Sequence, residues 1–186
     1  MTYPSFNSGE VLTASDMNAV GLWKVTSGSI SALSTTGTNI TSIFNNTNYK
    51  NYRIILQITA ASTSNRLQLQ MLLGTTPATT GAYYAGGLAS DYAANTTLYF
   101  QRSNGDTSLF LTNTNGSTNR FISFDIYGPN QAITTMFSNG SYIDTTGIYH
   151  YAWGGAHAVA TAYDGIKLAT NTGTMDVTYA VYGYKP

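Results

Sequence analysis

Arg66-Leu67-Gln68-Leu69-Gln70-Met71-Leu72 alternates apolar and polar side chains, and Phe121-Ile122-Ser123-Phe124-Asp125-Ile126-Tyr127 carries large residues at nearly every position. Successive side chains of an extended strand point to opposite faces, so the first segment suits a sheet with one buried face. The second, bulky on both sides, suits a central strand.

Period two extends outward from these anchors. Strands rich in Val, Ile, Thr, Tyr and Phe are predicted at 22–26, 39–44, 52–60, 66–73, 82–88, 97–102, 108–112, 120–127, 133–142, 148–160, 166–169 and 175–184. Asn104-Gly105, Asn115-Gly116 and Asn139-Gly140 supply the positive-φ pairs that two-residue hairpin turns prefer, which makes neighbouring strands antiparallel. Many short strands without helical crossovers, and without a repeat of fixed period, predict an all-β, antiparallel β-sandwich of jelly-roll-like kind, with a barrel as the neighbouring solution.

The helix signal lies at the start, in Leu12-Thr13-Ala14-Ser15-Asp16-Met17-Asn18-Ala19-Val20-Gly21. Thr13 can cap the first turn, Asp16 sits where a capping box places its partner, and Gly21 can end the helix. Two turns are marginal alone in water, so this segment needs a support. The expected organisation is a short N-terminal arm with that helix, residues 1–25, followed by one sandwich, residues 26–186.

Only 9% of the 186 residues are charged, and Lys plus Arg equals Asp plus Glu at eight each. No basic stripe exists to hold nucleic acid. A nearly neutral surface also lets identical chains approach, so a homo-oligomer is expected. Without cysteine there is no disulfide framework and no thiolate chemistry. No signal-peptide pattern and no apolar run of membrane-spanning length are read, so membrane insertion is not expected and synthesis is assigned to a cytosol.

Catalytic and metal-binding patterns are equally sparse. His150 and His157 share one predicted strand at an odd separation, which sends them to opposite faces unless Gly154-Gly155 forms a bulge. The plain reading is one satisfied core histidine and one surface histidine, with no metal and no cofactor. Glu10 is the sole glutamate and the aspartates are scattered singly, so no carboxylate pair is legible. No nucleophile elbow, phosphate-binding loop or zinc-protease helix occurs, and a non-enzymatic protein is expected. The aromatics Tyr83, Tyr84, Tyr92, Tyr149, Tyr151 and Trp153, with Tyr99 and His150 nearby, have two readings. They can form a receptor or interface cluster that stacks on sugar rings, or they can serve core and cross-strand packing.

The opening Ser8-Gly9-Glu10-Val11-Leu12-Thr13-Ala14-Ser15-Asp16-Met17-Asn18 resembles the N-terminal segment of many bacteriophage virion proteins, where a similar stretch precedes a fibre or appendage domain. The ending, Asp164-Gly165-Ile166 through Val181-Tyr182-Gly183-Tyr184, is similar to the last two strands of phage appendage sandwiches. This resemblance implies a surface-exposed virion structural protein, made in the host bacterial cytoplasm and docked on other virion proteins through its arm. Phe6, Val11, Leu12, Met17, Val20 and Trp23 are the expected virion-attachment residues; folding back onto their own sandwich is the other reading. Three roles stay open: a tail-fibre or receptor-binding protein, expected as a homotrimer contacting a host surface glycan; a capsid decoration or head-fibre protein; and a stand-alone carbohydrate-binding module.

Overall fold

The computed structural model describes residues 21–45, 48–91, 98–114, 120–143 and 149–184. Its strands are β1 (Leu22–Leu33), β2 (Thr38–Ile40), β3 (Asn51–Ala61), β4 (Arg66–Leu73), β5 (Thr76–Pro77), β6 (Tyr83–Asp91), β7 (Leu98–Asp106), β8 (Leu109–Asn113), β9 (Arg120–Tyr127), β10 (Thr135–Ile143), β11 (Tyr149–His157), β12 (Gly165–Thr170) and β13 (Met175–Tyr184). One sheet has eight strands in the order β1-β13-β3-β9-β10-β11-β6-β7. The other has five: β2-β12-β4-β5, with β8 also paired to β4. All pairings among them are antiparallel.

The chain changes sheet repeatedly, from β1 to β2, β2 to β3 and β3 to β4, and again around β8 and β12. The result is a jelly-roll-like sandwich. Its core follows from alternation. Tyr52, Ile54, Leu56 and Ile58 on β3 join Ile122, Phe124 and Ile126 on β9 against Leu67, Leu69 and Met71 on β4 and Ile166 and Leu168 on β12, all in one buried cluster. Each such aliphatic side chain contributes about 1.5–3 kcal/mol relative to exposure.

The predicted bounds of β4, β9 and β13 match the structure, and β9 is central, between β3 and β10. Other elements differ for physical reasons. The strand predicted at 22–26 continues to Leu33, and the one predicted at 39–44 stops at Ile40. Beyond it Ser42 takes φ 58°, and the N–H groups of Ile43 and Phe44 both donate to the carbonyl of Asp164, at 2.9 and 3.1 Å. Ile43 and Phe44 are therefore buried without being strand.

Two Asn-Gly pairs make bulges instead of hairpin turns. Tyr83 pairs with Asp106 but Tyr84 with Asn104, so Gly105, at φ 76°, is the extra residue of β7. Asn139-Gly140 lies inside β10, where register shifts occur against both β9 and β11. Asn115-Gly116 lies outside the described residues. β11 pairs with β6 in unbroken register, from Tyr149↔Asp91 to His157↔Tyr83.

Candidate functional site

The two outer faces of the sandwich differ in character. The smaller sheet turns Asn39, Arg66, Gln68, Gln70 and Lys167 outward, positions that alternate with buried Ile40, Leu67, Leu69, Ile166 and Leu168. The larger sheet does not follow that rule. Among the described residues eight large apolar side chains are exposed, and six of them lie on its outer face: Leu22, Ile55, Tyr84, Leu88, Phe121 and Met136. The register aligns Leu22, Tyr184, Asn51, Tyr127, Met136, Ala156 and Tyr84 in one row across β1, β13, β3, β9, β10, β11 and β6. Leu22, Met136 and Tyr84 belong to this row, Ile55 and Leu88 share another, and Phe121 lies on a third, so exposed apolar side chains recur across one face, as they do on contact surfaces.

One row away, Lys24, Tyr182, Arg53, Asp125 and Ser138 cross the same face. Arg53 donates from Nε to Asp125 Oδ1 at 2.8 Å and from Nη2 to Oδ2 at 2.9 Å. The Tyr184 hydroxyl donates to Asp125 Oδ1 at 2.6 Å, and the guanidinium lies 6.0 Å from the Tyr184 ring centre. The Asp125 side chain is 3% exposed and that of Arg53 38%. Burial, reinforced by the bond to Asp125, pushes the Tyr184 hydroxyl up to about 12, and the same carboxylate raises Arg53 above its ordinary value. A bidentate guanidinium–carboxylate pair on two adjacent strands is thus locked by a tyrosine from a third.

Of the sequence-predicted aromatics, the described Tyr83, Tyr84 and Trp153 have different surroundings. Tyr83 is fully buried: its ring stacks on His157 at 4.1 Å, its hydroxyl accepts from the Met71 N–H at 2.8 Å and donates to the Ala78 carbonyl at 3.1 Å. Burial raises its hydroxyl pKa well above the ordinary 10. His157 is buried too, with Nε2 2.7 Å from the Tyr163 hydroxyl, which is the core histidine foreseen. Tyr84, one residue on, faces outward at 42% exposure. Trp153 is half-buried and packs on Phe124, ring centres 5.5 Å apart. Tyr149 and Tyr151 belong to β11, but their side chains, like all of Tyr92, lie outside the described residues.

Of the attachment residues, Phe6, Val11, Leu12, Met17 and Val20, with the helix predicted at 12–21 up to residue 20, also lie outside the described residues. Trp23 opens β1 opposite Gly183 and is half-buried, so it stands in the larger sheet itself. Sequence reading passed over Arg53, Asp125, Tyr127, Tyr182 and Tyr184. The available signal was phase: Arg53 and Asp125 occupy the strand positions between the core series 52-54-56 and 122-124-126.

Among the described residues no three His, Cys, Asp or Glu side chains meet as a metal ion would require, and no helix is long and apolar enough to cross a membrane.

No family model matches the chain, and no curated protein matches it. Among solved structures it is similar to galectin LEC-6 of Caenorhabditis elegans, with 11% identity and TM-score 0.35 over 84% of this chain and 96% of that one. A second is tail fiber protein gp63.1 of an E. coli phage, with 7% identity and TM-score 0.35 over 90% of this chain, which spans 22% of that protein. A third is the GH43 protein BlXynB of Bacillus licheniformis, with 11% identity and TM-score 0.31 over 73% of this chain and 27% of that one. Likeness this remote transfers no site and no activity.

Proposed function

We propose that this chain is a surface appendage protein of a bacteriophage particle that works by adhesion, as a tail-fibre or receptor-binding component, and not by catalysis. The observation that carries this reading is the asymmetry of the sandwich: the smaller sheet's outer face presents mainly polar side chains, with half-buried Phe110 among them, and the larger sheet's collects six of the eight exposed large apolar residues of the described chain. A solvated domain gains nothing from such a face, whereas a contact surface needs it. The resemblance of both chain ends to virion proteins supplies the setting. The arm would dock on neighbouring virion proteins, and several copies, as in a homotrimer, would add avidity to weak single contacts.

The test is twofold. Antibody raised to the purified chain should label intact particles at a discrete position, at the tail for a receptor-binding role and at the shell for a decoration role. The purified chain should also compete with particles for adsorption to host cells. Labelling of the shell without competition would replace the receptor role by decoration, and absence of both would end the virion reading.

A further inference from the structure

The Arg53–Asp125–Tyr184 cluster calls for a reason that stability does not supply. Strand positions pointing out of a sheet need no charge, and neighbouring outward positions of the same strands hold Asn51, Ile55, Ser123 and Ala180. An ion pair in such a place is usually worth little, because desolvation offsets the attraction. What the arrangement does achieve is a fixed pose. Asp125 is nearly inaccessible beneath its two donors, and a bidentate grip removes the guanidinium's freedom to rotate.

Two of the five guanidinium N–H donors are taken by Asp125. With 38% of the Arg53 side chain exposed, a partner is within reach of those that remain. Tyr182, Tyr184 and Tyr127 lie on the same face around the pair, each half-buried, with the Tyr184 hydroxyl donating to Asp125. The next row brings exposed Met136 beside Tyr127.

We infer that this cluster is a binding site for neutral pyranose units of a polysaccharide, with Arg53 and the tyrosine hydroxyls bonding sugar hydroxyls and the tyrosine rings receiving the apolar C–H face. The inference rests on the reading of this sheet face as a contact surface. Charge narrows the ligand class. Within the pair the Asp125 carboxylate offsets Arg53, so an anionic sugar or a phosphate at the guanidinium meets attraction and repulsion that largely cancel, and the other cation of the row, exposed Lys24, stands two strands from Arg53 beyond Tyr182. A hydroxyl carries no such conflict and uses donors and acceptors alike. A preset guanidinium also loses little freedom on binding, which matters for a shallow site.

The full chain, applied to an array of neutral and acidic glycans, should bind neutral pyranosides and not depend on uronate, sialate or phosphate groups. Arg53→Met and Tyr182→Ala should each weaken that binding at least tenfold, while Gln68→Ala, on the opposite sheet, should leave it unchanged. Tyr182→Ala spares the ion pair, so its loss of binding with an unaltered circular-dichroism spectrum separates a site defect from unfolding. Binding confined to acidic glycans, binding indifferent to both variants, or no glycan binding at all would overturn the proposal. So would variants that change only the oligomeric mass, since the cluster would then be an interface between copies. Sugar binding by a chain that labels no particle would keep this site and remove the virion reading; labelled particles without sugar binding would do the reverse.

Discussion

Tyr83 and Tyr84 are adjacent, yet one is in the core and the other on the surface. Alternation in the sequence separates them, but which one turns inward depends on Met71, whose N–H reaches the Tyr83 hydroxyl across from the other sheet. Such long-range anchors are invisible to local pattern. His157, stacked on Tyr83, is held below its ordinary 6.5 by burial, with the Ala82 carbonyl opposing. The unfolded chain therefore binds more protons than the folded one as pH falls below about 6.5, and stability drops with acidification in that window, up to about 1.4 kcal/mol per pH unit. His157→Phe should keep the stack, lose about 1 kcal/mol at pH 8 with its Tyr163 bond, and flatten the slope between pH 6.5 and the depressed value. Urea midpoints across pH 5–8 measure both; an equally steep variant would mean that another group carries the slope.

Arg53 and Asp125 were passed over because each looks like an isolated surface charge in the sequence, and only the β3–β9 register makes them a pair. Removing the guanidinium strands a buried carboxylate. Arg53→Met should cost about 1–3 kcal/mol, discounted because Arg53 is partly solvated. The loss in the Arg53→Met/Asp125→Asn double variant should fall short of the sum of the two single-variant losses by about 0.5–2 kcal/mol. Strict additivity in equilibrium unfolding would show that the pair is not coupled.

At the scale of elements, strand existence was legible wherever hydrophobic periodicity was uninterrupted, as in β4, β9 and β13. It failed where backbone geometry decided. Asn104-Gly105 has the composition of a hairpin turn, but β7 and the following β8 belong to different sheets, so its positive-φ residue became a bulge just before the last β6–β7 pair, Tyr83↔Asp106. Two-residue β5 is too short for any period to register. Glycine variants separate the two roles that glycine plays here. Gly105→Ala forces a methyl into φ 76° with the Gly81 carbonyl 3.2 Å away, and should cost about 1–2 kcal/mol. Gly86→Ala, on β6 with nothing within 4 Å of its Cβ position, should be neutral or stabilise by up to about 1 kcal/mol. Denaturant midpoints at unchanged m-value check the pair, and a reversed order would mean that the bulge is not where the register puts it.

For the molecule as a whole, the sandwich was legible from composition and period, while the site was not, because it is assembled from β3, β9 and β13, strands far apart in sequence. The same topology bears on where the chain can be shortened. β1 is the edge strand of the larger sheet, and Leu22, Trp23 and Lys24 pair with Tyr184, Gly183 and Tyr182. The expected boundary at residue 25 therefore falls inside a strand, and a cut there harms the sandwich as well as the arm. A chain beginning at Gly21 keeps every β1 pairing and should melt within about 2 °C of the full chain. One beginning at Ser27 strips the partners of Tyr182 and Tyr184 and bares the edge of β13 beside the Arg53 cluster. At about 1 kcal/mol per lost backbone bond it should melt roughly 5–15 °C lower and bind glycan more weakly. If residues 1–20 are the docking segment, the Gly21 chain should keep the fold and the glycan site yet fail to enter particles. Normal incorporation of that chain would move attachment onto the sandwich, and its apolar outer face would then be a contact with the virion and not with the host.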